Sequence, residues 1–270
     1  SADVIMLNYV GQSSISAVSL AANYSSILFM VYYGLGTGAS LLCSQYSGKS
    51  NLQAIHAVEG IALRFSVGIS ILVALIAFMM PQRMMQLFTA DPELIAIGSS
   101  YLRVMGITYI CWGISEIYLA VLRSIGRVTI SMVLNVLAFV LNIFLNAVFI
   151  FGLFGLPKLG VTGVALGTVI ARISEVLICL IYSLRSSDVR FRIKYFFAKS
   201  DILLQDFIKI ATPAVINDVV WSFANSAFAA ILGHISDDMV AANAVAVMVV
   251  NIGAIACRGF ANATTIIVSQ

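Results

Sequence analysis

The sequence predicts an all-α, polytopic membrane protein. Of its 270 residues, 61% are hydrophobic and only 10% are charged, whereas soluble domains carry about 25% charged residues. Long apolar runs alternate with breaks at Gly, Pro and charged residues, and most runs reach the roughly 20 residues that a helix needs to cross a bilayer. The composition therefore excludes a water-soluble globule, and the breaks predict about eight transmembrane helices.

The breaks also place these spans along the chain. The first predicted span, residues 2–10, is too short to cross a bilayer, so we interpret the chain as a fragment that begins partway along a helix. A polar turn at 11–16 follows it. We expect Pro213 to interrupt the seventh span early. The remaining predicted spans are 17–44, 57–80, 95–122, 130–151, 164–184, 207–232 and 240–269.

The basic residues in alternate loops predict the orientation. One set of loops holds eight basic residues, whereas the other set holds only Arg83 and Lys158 beside several acids. By the positive-inside rule the first set is cytoplasmic, which places the N-terminus and the segment 185–206 on that side. The eight residues are Lys49, Arg123, Arg127, Arg185, Arg190, Arg192, Lys194 and Lys199.

The two ends of the chain carry a weak internal repeat. A shift of 225 positions aligns residues 6–45 with 231–270 without a gap, and it pairs Gly34 with Gly259 and the Ser-Gln dipeptides that end both segments. Six predicted spans separate the two segments, so both copies have the same orientation. This pattern predicts a parallel repeat.

The repeat predicts two six-helix lobes in the intact protein. Residues 1–184 would form the first lobe, with its first helix truncated. Residues 185–206 would be a cytoplasmic linker between the lobes, and 207–270 the first two helices of the second lobe.

Carboxylates inside apolar spans are candidate functional residues, because a charge at the bilayer centre costs about 2.5–3.5 kcal/mol on insertion scales. Asp3 lies in the first span, and Asp218 lies in the seventh beside Asn217 and five residues after Pro213. A proline removes a backbone donor, which leaves carbonyl groups free to bind water or a cation. The alternative is a structural role: Asp3 would pair with a neighbouring helix, and Asp218 would belong to a kink that polar side chains stabilise.

Three amides lie near one face of the fifth span. Asn135, Asn142 and Asn146 are separated by seven and four residues. Such amides either hydrogen-bond between helices or line a wet cavity. We favour the cavity, because one interhelical contact would need a single Asn.

Three further charged residues could form an internal charge network. Arg172 and Glu175 are spaced i, i+3 in the sixth span and can pair on one helix face. Glu116 in the fourth span has no obvious partner in its own helix, so it is either a proton-relay group or a partner of Arg172 across helices. Glycines 34, 36 and 38 are expected to allow close helix packing.

No pattern points to catalysis or to a cofactor. The four cysteines lie singly within predicted spans, and no Ser/His/Asp or Cys/His set has catalytic spacing. We therefore expect neither an enzyme nor a bound cofactor, and the net charge of +3 requires no nucleic-acid partner.

Several motifs resemble those of the MATE (multidrug and toxic compound extrusion) transporters. ADVIML and GLGTGASLLCSQYSGK resemble the family's opening, and FTADPELIAIGSSYLRV, LRSIGR, NIFLNAVFIFG, LPKLGVTGVALGT and IATPAVINDVVWS follow in family order. The resemblance implies two six-helix lobes around a central cavity. It also implies drug efflux driven by inward flow of Na⁺ or H⁺.

The resemblance also implies roles for particular residues. The family's first-span acid matches Asp3, and its fifth-span Asn matches Asn142, so a Na⁺ site is implied near these two. The position four residues later, an Asp in some members, is Asn146 here, which leaves the coupling ion open. A sixth-span Thr linked to cation binding matches Thr168, and an acid found in some branches matches Asp218.

The resulting hypothesis is a secondary antiporter that exports cationic or amphiphilic drugs and toxic compounds in exchange for Na⁺ or H⁺. One alternative is a flippase of lipid-linked oligosaccharide, which needs a strongly cationic cavity. Another is a membrane receptor or scaffold that transports nothing. We expect a monomer in the cell membrane, with the coupling ion as its only bound metal.

Overall fold

A computed structural model describes residues 12–152, 160–186, 193–197 and 200–235, and residues 250, 253–254, 257 and 259–269 near the C-terminus. All regular structure in these residues is helical. The predicted first span with Asp3, and most of the predicted eighth span, lie outside the described residues.

In the described part of the chain, six helices are long and apolar enough to cross a membrane. The prediction of an all-α, polytopic membrane protein is therefore confirmed. In chain order the helices are α1 (Gln12–Gly48), α2 (Leu52–Met79), α3 (Pro81–Gln86), α4 (Pro92–Ser124), α5 (Val128–Phe151), α6 (Gly160–Arg185), α7 (Ile193–Phe196), α8 (Asp201–Ile235) and α9 (Gly259–Ser269), of which α3, α7 and α9 are short.

Several helix boundaries differ from the sequence prediction. Helix α1 begins at Gln12, so the expected polar turn at 11–16 is almost entirely helical. Its serines suit the first turn of a helix, where backbone N–H groups lack partners. Helix α8 begins at Asp201, inside the predicted linker, and Asp201 in the first turn complements the helix dipole.

The seventh predicted span is not interrupted. Helix α8 continues through Pro213 to Ile235, so the prediction of an early break there is wrong. A proline removes one backbone hydrogen bond, and neighbouring helices allow a membrane helix to tolerate that loss. Here the turn just before Pro213 packs against α1 through Ala211.

A buried polar cluster joins α1, α2 and α4. The Tyr32 hydroxyl on α1 donates to the Tyr109 carbonyl of α4 at 2.9 Å and lies 2.6 Å from the Ser70 hydroxyl of α2. Ser66, also on α2, donates to the Gly113 carbonyl of α4 at 2.9 Å. These bonds satisfy hydroxyl groups that would otherwise be costly to bury, and they hold three helices in register.

The glycines of the GLGTG run bring α1 against two other helices. A Cβ at Gly38 would lie 2.7 Å from Ala211 Cβ of α8, and a Cβ at Gly34 would lie 2.7 Å from Val215 Cα of the same helix. Gly36 faces α4, where a Cβ would lie 3.3 Å from Ala120 Cβ. The predicted packing role of these glycines is confirmed, because a side chain would separate the helices.

The two copies of the sequence repeat touch each other. Ser44 on α1 and Ser269 on α9 are hydrogen-bonded through their hydroxyls, and they are 225 residues apart, which is the offset of the repeat. The Asn262 amide of α9 also donates to the Tyr33 hydroxyl of α1 at 3.3 Å. A residue contacts its own counterpart where a two-fold axis passes beside it. The contact agrees with a parallel repeat, and the division into two lobes stays a prediction.

Substitution of Gly38 by Ala should weaken the α1–α8 contact. Overpacking costs about 1–3 kcal/mol, and the added methyl group would meet the Ala211 backbone at 2.9 Å. The thermal unfolding midpoint of the full-length protein in detergent should fall. Gly68→Ala on α2 is the matched control, since a Cβ there meets nothing within 4 Å. An unchanged midpoint for Gly38→Ala would contradict the close approach.

Candidate functional site

A polar cavity of about 430 Å³ lies between α5 and α6. Four of its lining side chains are polar, and the sequence analysis named all four, Thr168 through the family resemblance alone. The lining residues are Asn135, Val136, Ala138, Phe139, Asn142, Thr168, Ala171 and Arg172. Two of the three fifth-span amides, Asn135 and Asn142, line the cavity, whereas Asn146 is buried.

A directional chain of hydrogen bonds runs beside this cavity. The Asn146 amide nitrogen donates to Asn142 Oδ1 at 3.3 Å, and the Asn142 nitrogen donates to Thr168 Oγ1 at 3.2 Å. The Thr168 hydroxyl in turn donates to the Val164 carbonyl at 3.0 Å. The chain joins the wholly buried Asn146 to the half-buried Asn142, which faces the cavity. It also brings Thr168, matched to the family only by resemblance, into contact with Asn142.

A glycine on α6 makes room for the buried end of this chain. A Cβ at Gly167 would overlap Asn146 Oδ1 and would lie 3.2 Å from the Asn146 backbone nitrogen. Any larger residue would separate α5 from α6 at this level. The sequence analysis did not single out Gly167, although a glycine inside a predicted helix next to a polar residue often marks close backbone approach.

Arg172 and Glu175 form the ion pair that their i, i+3 spacing predicts. Arg172 Nη1 lies 2.7 Å from Glu175 Oε2, and only 1% of the Glu175 side chain is exposed, against 29% for Arg172. The guanidinium also stacks over the Trp112 ring of α4, with 4.8 Å between Cζ and the ring centroid. The arginine is therefore held from two sides, with one edge towards the cavity.

Trp112 is a residue that the sequence analysis missed. It stacks on Phe29 of α1, with ring centroids 5.3 Å apart, as well as on Arg172 of α6. It therefore links the cavity wall to the central helix α1. The sequence could have drawn attention to Trp112, since the chain has only two tryptophans.

Glu116 has a partner in its own helix, contrary to the sequence expectation. Glu116 Oε1 lies 3.1 Å from Arg123 Nη2, and Arg123 also donates to the Ser131 hydroxyl at 3.4 Å. Helix α4 extends to Ser124, so Arg123 is helical and lies two turns beyond Glu116 on the same face. The three residues therefore do not form one network. Glu116 pairs with Arg123, and Arg172 pairs with Glu175.

The other candidate residues lie elsewhere. Asn217 is exposed and Asp218 is half-buried on α8, and neither lines the α5–α6 cavity. Asn262 of α9 faces α1 through Tyr33, in a smaller polar cleft that also contains Glu116 and Arg123.

The cavity wall carries almost no net charge. Its one charged residue is Arg172, and Glu175 balances that charge. The amide and hydroxyl oxygens of Asn142 and Thr168 are ligand types that hard cations accept. Neutral oxygens alone hold a cation weakly, because a buried charge needs a compensating charge to offset lost hydration. A carboxylate from another segment would complete such a site.

The Glu175→Gln substitution should destabilise the protein much more than Glu116→Gln. Loss of one partner of a buried ion pair costs about 3–5 kcal/mol, because the remaining charge stays unpaired, and the cost falls as solvent reaches the pair. Glu175 is the more deeply buried acid of the two. Thermal unfolding of both variants in one detergent measures the difference. Equal losses would contradict the distinction between the two pairs.

Comparisons with known proteins agree with these features. The MatE family model matches residues 1–148. The chain is 26% identical over 237 residues to the "Probable multidrug resistance protein YoeA" of Bacillus subtilis, which covers 87% of this chain and 51% of that protein. It is 29% identical over 224 residues to the "Multidrug export protein MepA" of Staphylococcus aureus MRSA252, covering 82% and 48% respectively. The chain spans about half the length of these relatives.

The fold is similar to that of solved transporters. The structure described as the outward-facing conformation of a multidrug resistance MATE family transporter of the MOP superfamily superposes with a TM-score of 0.86. The superposition covers 98% of this chain and 58% of that one, at 22% identity. The family match over more than half of the chain, on a fold of membrane-spanning helices, shows that the chain belongs to the MATE family of multi-pass membrane transporters.

Proposed function

We propose that the full-length protein is a secondary antiporter that exports cationic or amphiphilic compounds in exchange for Na⁺ or H⁺. The observation that carries the proposal is the hydrogen-bonded chain Asn146–Asn142–Thr168 beside a cavity, in a member of a transporter family. The names of the relatives YoeA and MepA, which refer to multidrug resistance and multidrug export, support the same activity.

Asp3 supplies the switch in this proposal. The predicted orientation places it in the outer half of the membrane, on the first helix of the first lobe. With Na⁺ or a proton bound, the carboxylate loses its net charge and the surrounding helix can repack. When ionised, it favours a wet cavity and a cationic substrate. Neutralising one carboxylate in a low dielectric changes local energetics by several kcal/mol, which is enough to bias a two-state transporter.

The hydrogen-bonded chain Asn146–Asn142–Thr168 would modulate ion binding in this proposal. A cation at Asn142 Oδ1 would compete with the N–H of Asn146, which now occupies that oxygen at 3.3 Å. Thr168 is held by Val164, so its oxygen stays oriented towards Asn142. Because Asn146 stands where some family members have an Asp, this site adds no carboxylate of its own, and the coupling depends on Asp3.

The cavity wall suits an amphiphilic substrate. Phe139 and Val136 offer apolar surface, while Asn142 offers hydrogen bonds. Arg172 is neutralised by Glu175 and stacked on Trp112, so it does not make the wall strongly cationic. A pyrophosphate-carrying lipid would need several unpaired basic groups there, and this favours the antiporter over the flippase.

We also propose an oligomeric state, a location and a set of partners for the protein. It acts as a monomer in the cell membrane, with its N-terminus and the segment 185–206 in the cytoplasm, as the distribution of basic residues favours. It binds no nucleic acid and carries out no enzymatic reaction. The coupling ion replaces any cofactor.

Dye transport under imposed gradients tests the activity. Full-length protein in proteoliposomes should move a cationic dye when an inward Na⁺ gradient or an inward proton gradient is imposed, and the effective gradient identifies the coupling ion. Empty liposomes and dissipated gradients are the controls. If neither gradient moves the dye while a fluorescent lipid-linked sugar crosses the bilayer, the flippase is the correct function.

Site variants test the roles of the residues. Asp3→Asn should abolish drug resistance at unchanged expression, because it removes the charge that the ion neutralises. Asn142→Ala should lower ion-driven efflux about tenfold or more, the factor that corresponds to losing one hydrogen bond to a charged ligand. Asn135→Ala is the matched control, since Asn135 lines the cavity but bonds to the Ser131 carbonyl of its own helix. Full resistance with an intact Asp3→Asn protein would overturn the switch.

A further inference from the structure

A groove on the surface of the helix bundle runs between α2 and α4. Its volume is about 220 Å³, and its floor is formed by the small residues Ala74 and Gly106. A Cβ at Gly106 would lie 3.4 Å from the Ala74 carbonyl, so the two backbones are close together there. Large apolar side chains form the walls, namely Ile71, Leu75, Phe78, Ile107 and Ile110.

One charged residue, Arg103, lines this apolar groove. Its side chain is exposed, and within the described parts of the chain it makes no ion pair or hydrogen bond. Arg123 and Arg172 in the same bundle are each bonded to a carboxylate. An unpaired guanidinium inside a span costs free energy, so Arg103 needs an anionic partner from its surroundings.

The depth of Arg103 places its guanidinium near the lipid phosphates. Helix α4 has 33 residues and is about 50 Å long, about 20 Å longer than the hydrocarbon core. If the excess is shared equally, Arg103, 11 residues after Pro92, lies about 6 Å inside the core boundary. An extended arginine spans such a distance and can reach the headgroup layer.

The groove continues from Arg103 towards the middle of the bilayer. Ile110 lies two helical turns, about 10 Å, beyond Arg103 along α4. On α2, Ile71 likewise lies two helical turns before Phe78, and Phe78 is near the end of that helix. The charged group is therefore at the mouth of the groove, and the apolar walls lie deeper, which is the arrangement of a phospholipid headgroup and its acyl chain.

We propose that this groove binds an anionic phospholipid of the outer leaflet, with its phosphate on Arg103 and one acyl chain along the floor of Ala74 and Gly106. Guanidinium groups bind phosphate through two parallel hydrogen bonds. Basic groups at membrane depth attract anionic headgroups. The bound lipid supplies the negative charge that the described helices do not, and its chain fills the space above Gly106.

Native mass spectrometry of the full-length protein tests this site. Detergent-purified protein is incubated with equal amounts of phosphatidylglycerol and phosphatidylcholine that carry the same acyl chains. Wild-type protein should retain phosphatidylglycerol preferentially. Arg103→Gln should lower its retention about tenfold, while Arg103→Lys should keep part of it. Arg83→Gln is the matched control, because Arg83 is an exposed arginine on α3 outside the groove.

Two further experiments distinguish the contribution of the Arg103 charge from that of the apolar groove. Gly106→Leu keeps Arg103 but fills the floor, so it should also lower lipid retention. Soluble glycerol phosphate, which has no acyl chain, should fail to displace the bound lipid. Size-exclusion profiles identify any variant that misfolds, and Arg103→Lys then carries the test. Equal retention by wild type and Arg103→Gln, or equal retention of both lipids by wild type, would overturn the proposal whatever the protein transports.

Discussion

The close approach of helix α1 to its neighbours is the constraint on which the rest of the structure depends. Gly34 and Gly38 let the backbone of α8 come within van der Waals contact, and Gly36 makes room for the Ala120 side chain of α4. In lipid there is little hydrophobic force between helices, so such contacts and interhelical hydrogen bonds provide the association. Tyr32 adds the hydrogen bonds to α2 and α4. Helix α1 also contacts the cavity wall, because Phe29 of α1 stacks on Trp112 and Trp112 stacks on Arg172.

Glu116, Glu175 and Asn142 each have a partner inside the bundle. Glu175 is bonded to Arg172, Glu116 is bonded to Arg123, and Asn142 has a donor on one side and an acceptor on the other. A low dielectric makes an unpaired polar group costly, so these pairs hold particular helix faces together. Unlike Arg123 and Arg172, Arg103 has no carboxylate partner among the described residues, and it lies at the bundle surface, where lipid can supply the missing charge.

The sequence repeat accounts for the contact between α1 and α9, but it does not account for the position of Asp3. Ser44 and Ser269 are equivalent in sequence and bonded in space, so the two copies meet along corresponding faces of α1 and α9. The polar candidates do not follow that symmetry. The repeat aligns Asp3 with Phe228, which is not an acid.

Composition and hydrophobic runs determined the fold class and the order of the spans, because the bilayer requires long apolar helices whatever their neighbours are. The spacing of Arg172 and Glu175 likewise predicted their pair, since residues i and i+3 share a helix face. Only the tertiary structure decided that Glu116 binds Arg123, that Pro213 lies within a continuous helix, and that Gly167 makes room for Asn146. These outcomes depend on where one helix ends and how closely another approaches, which are set by side-chain packing between segments far apart in sequence.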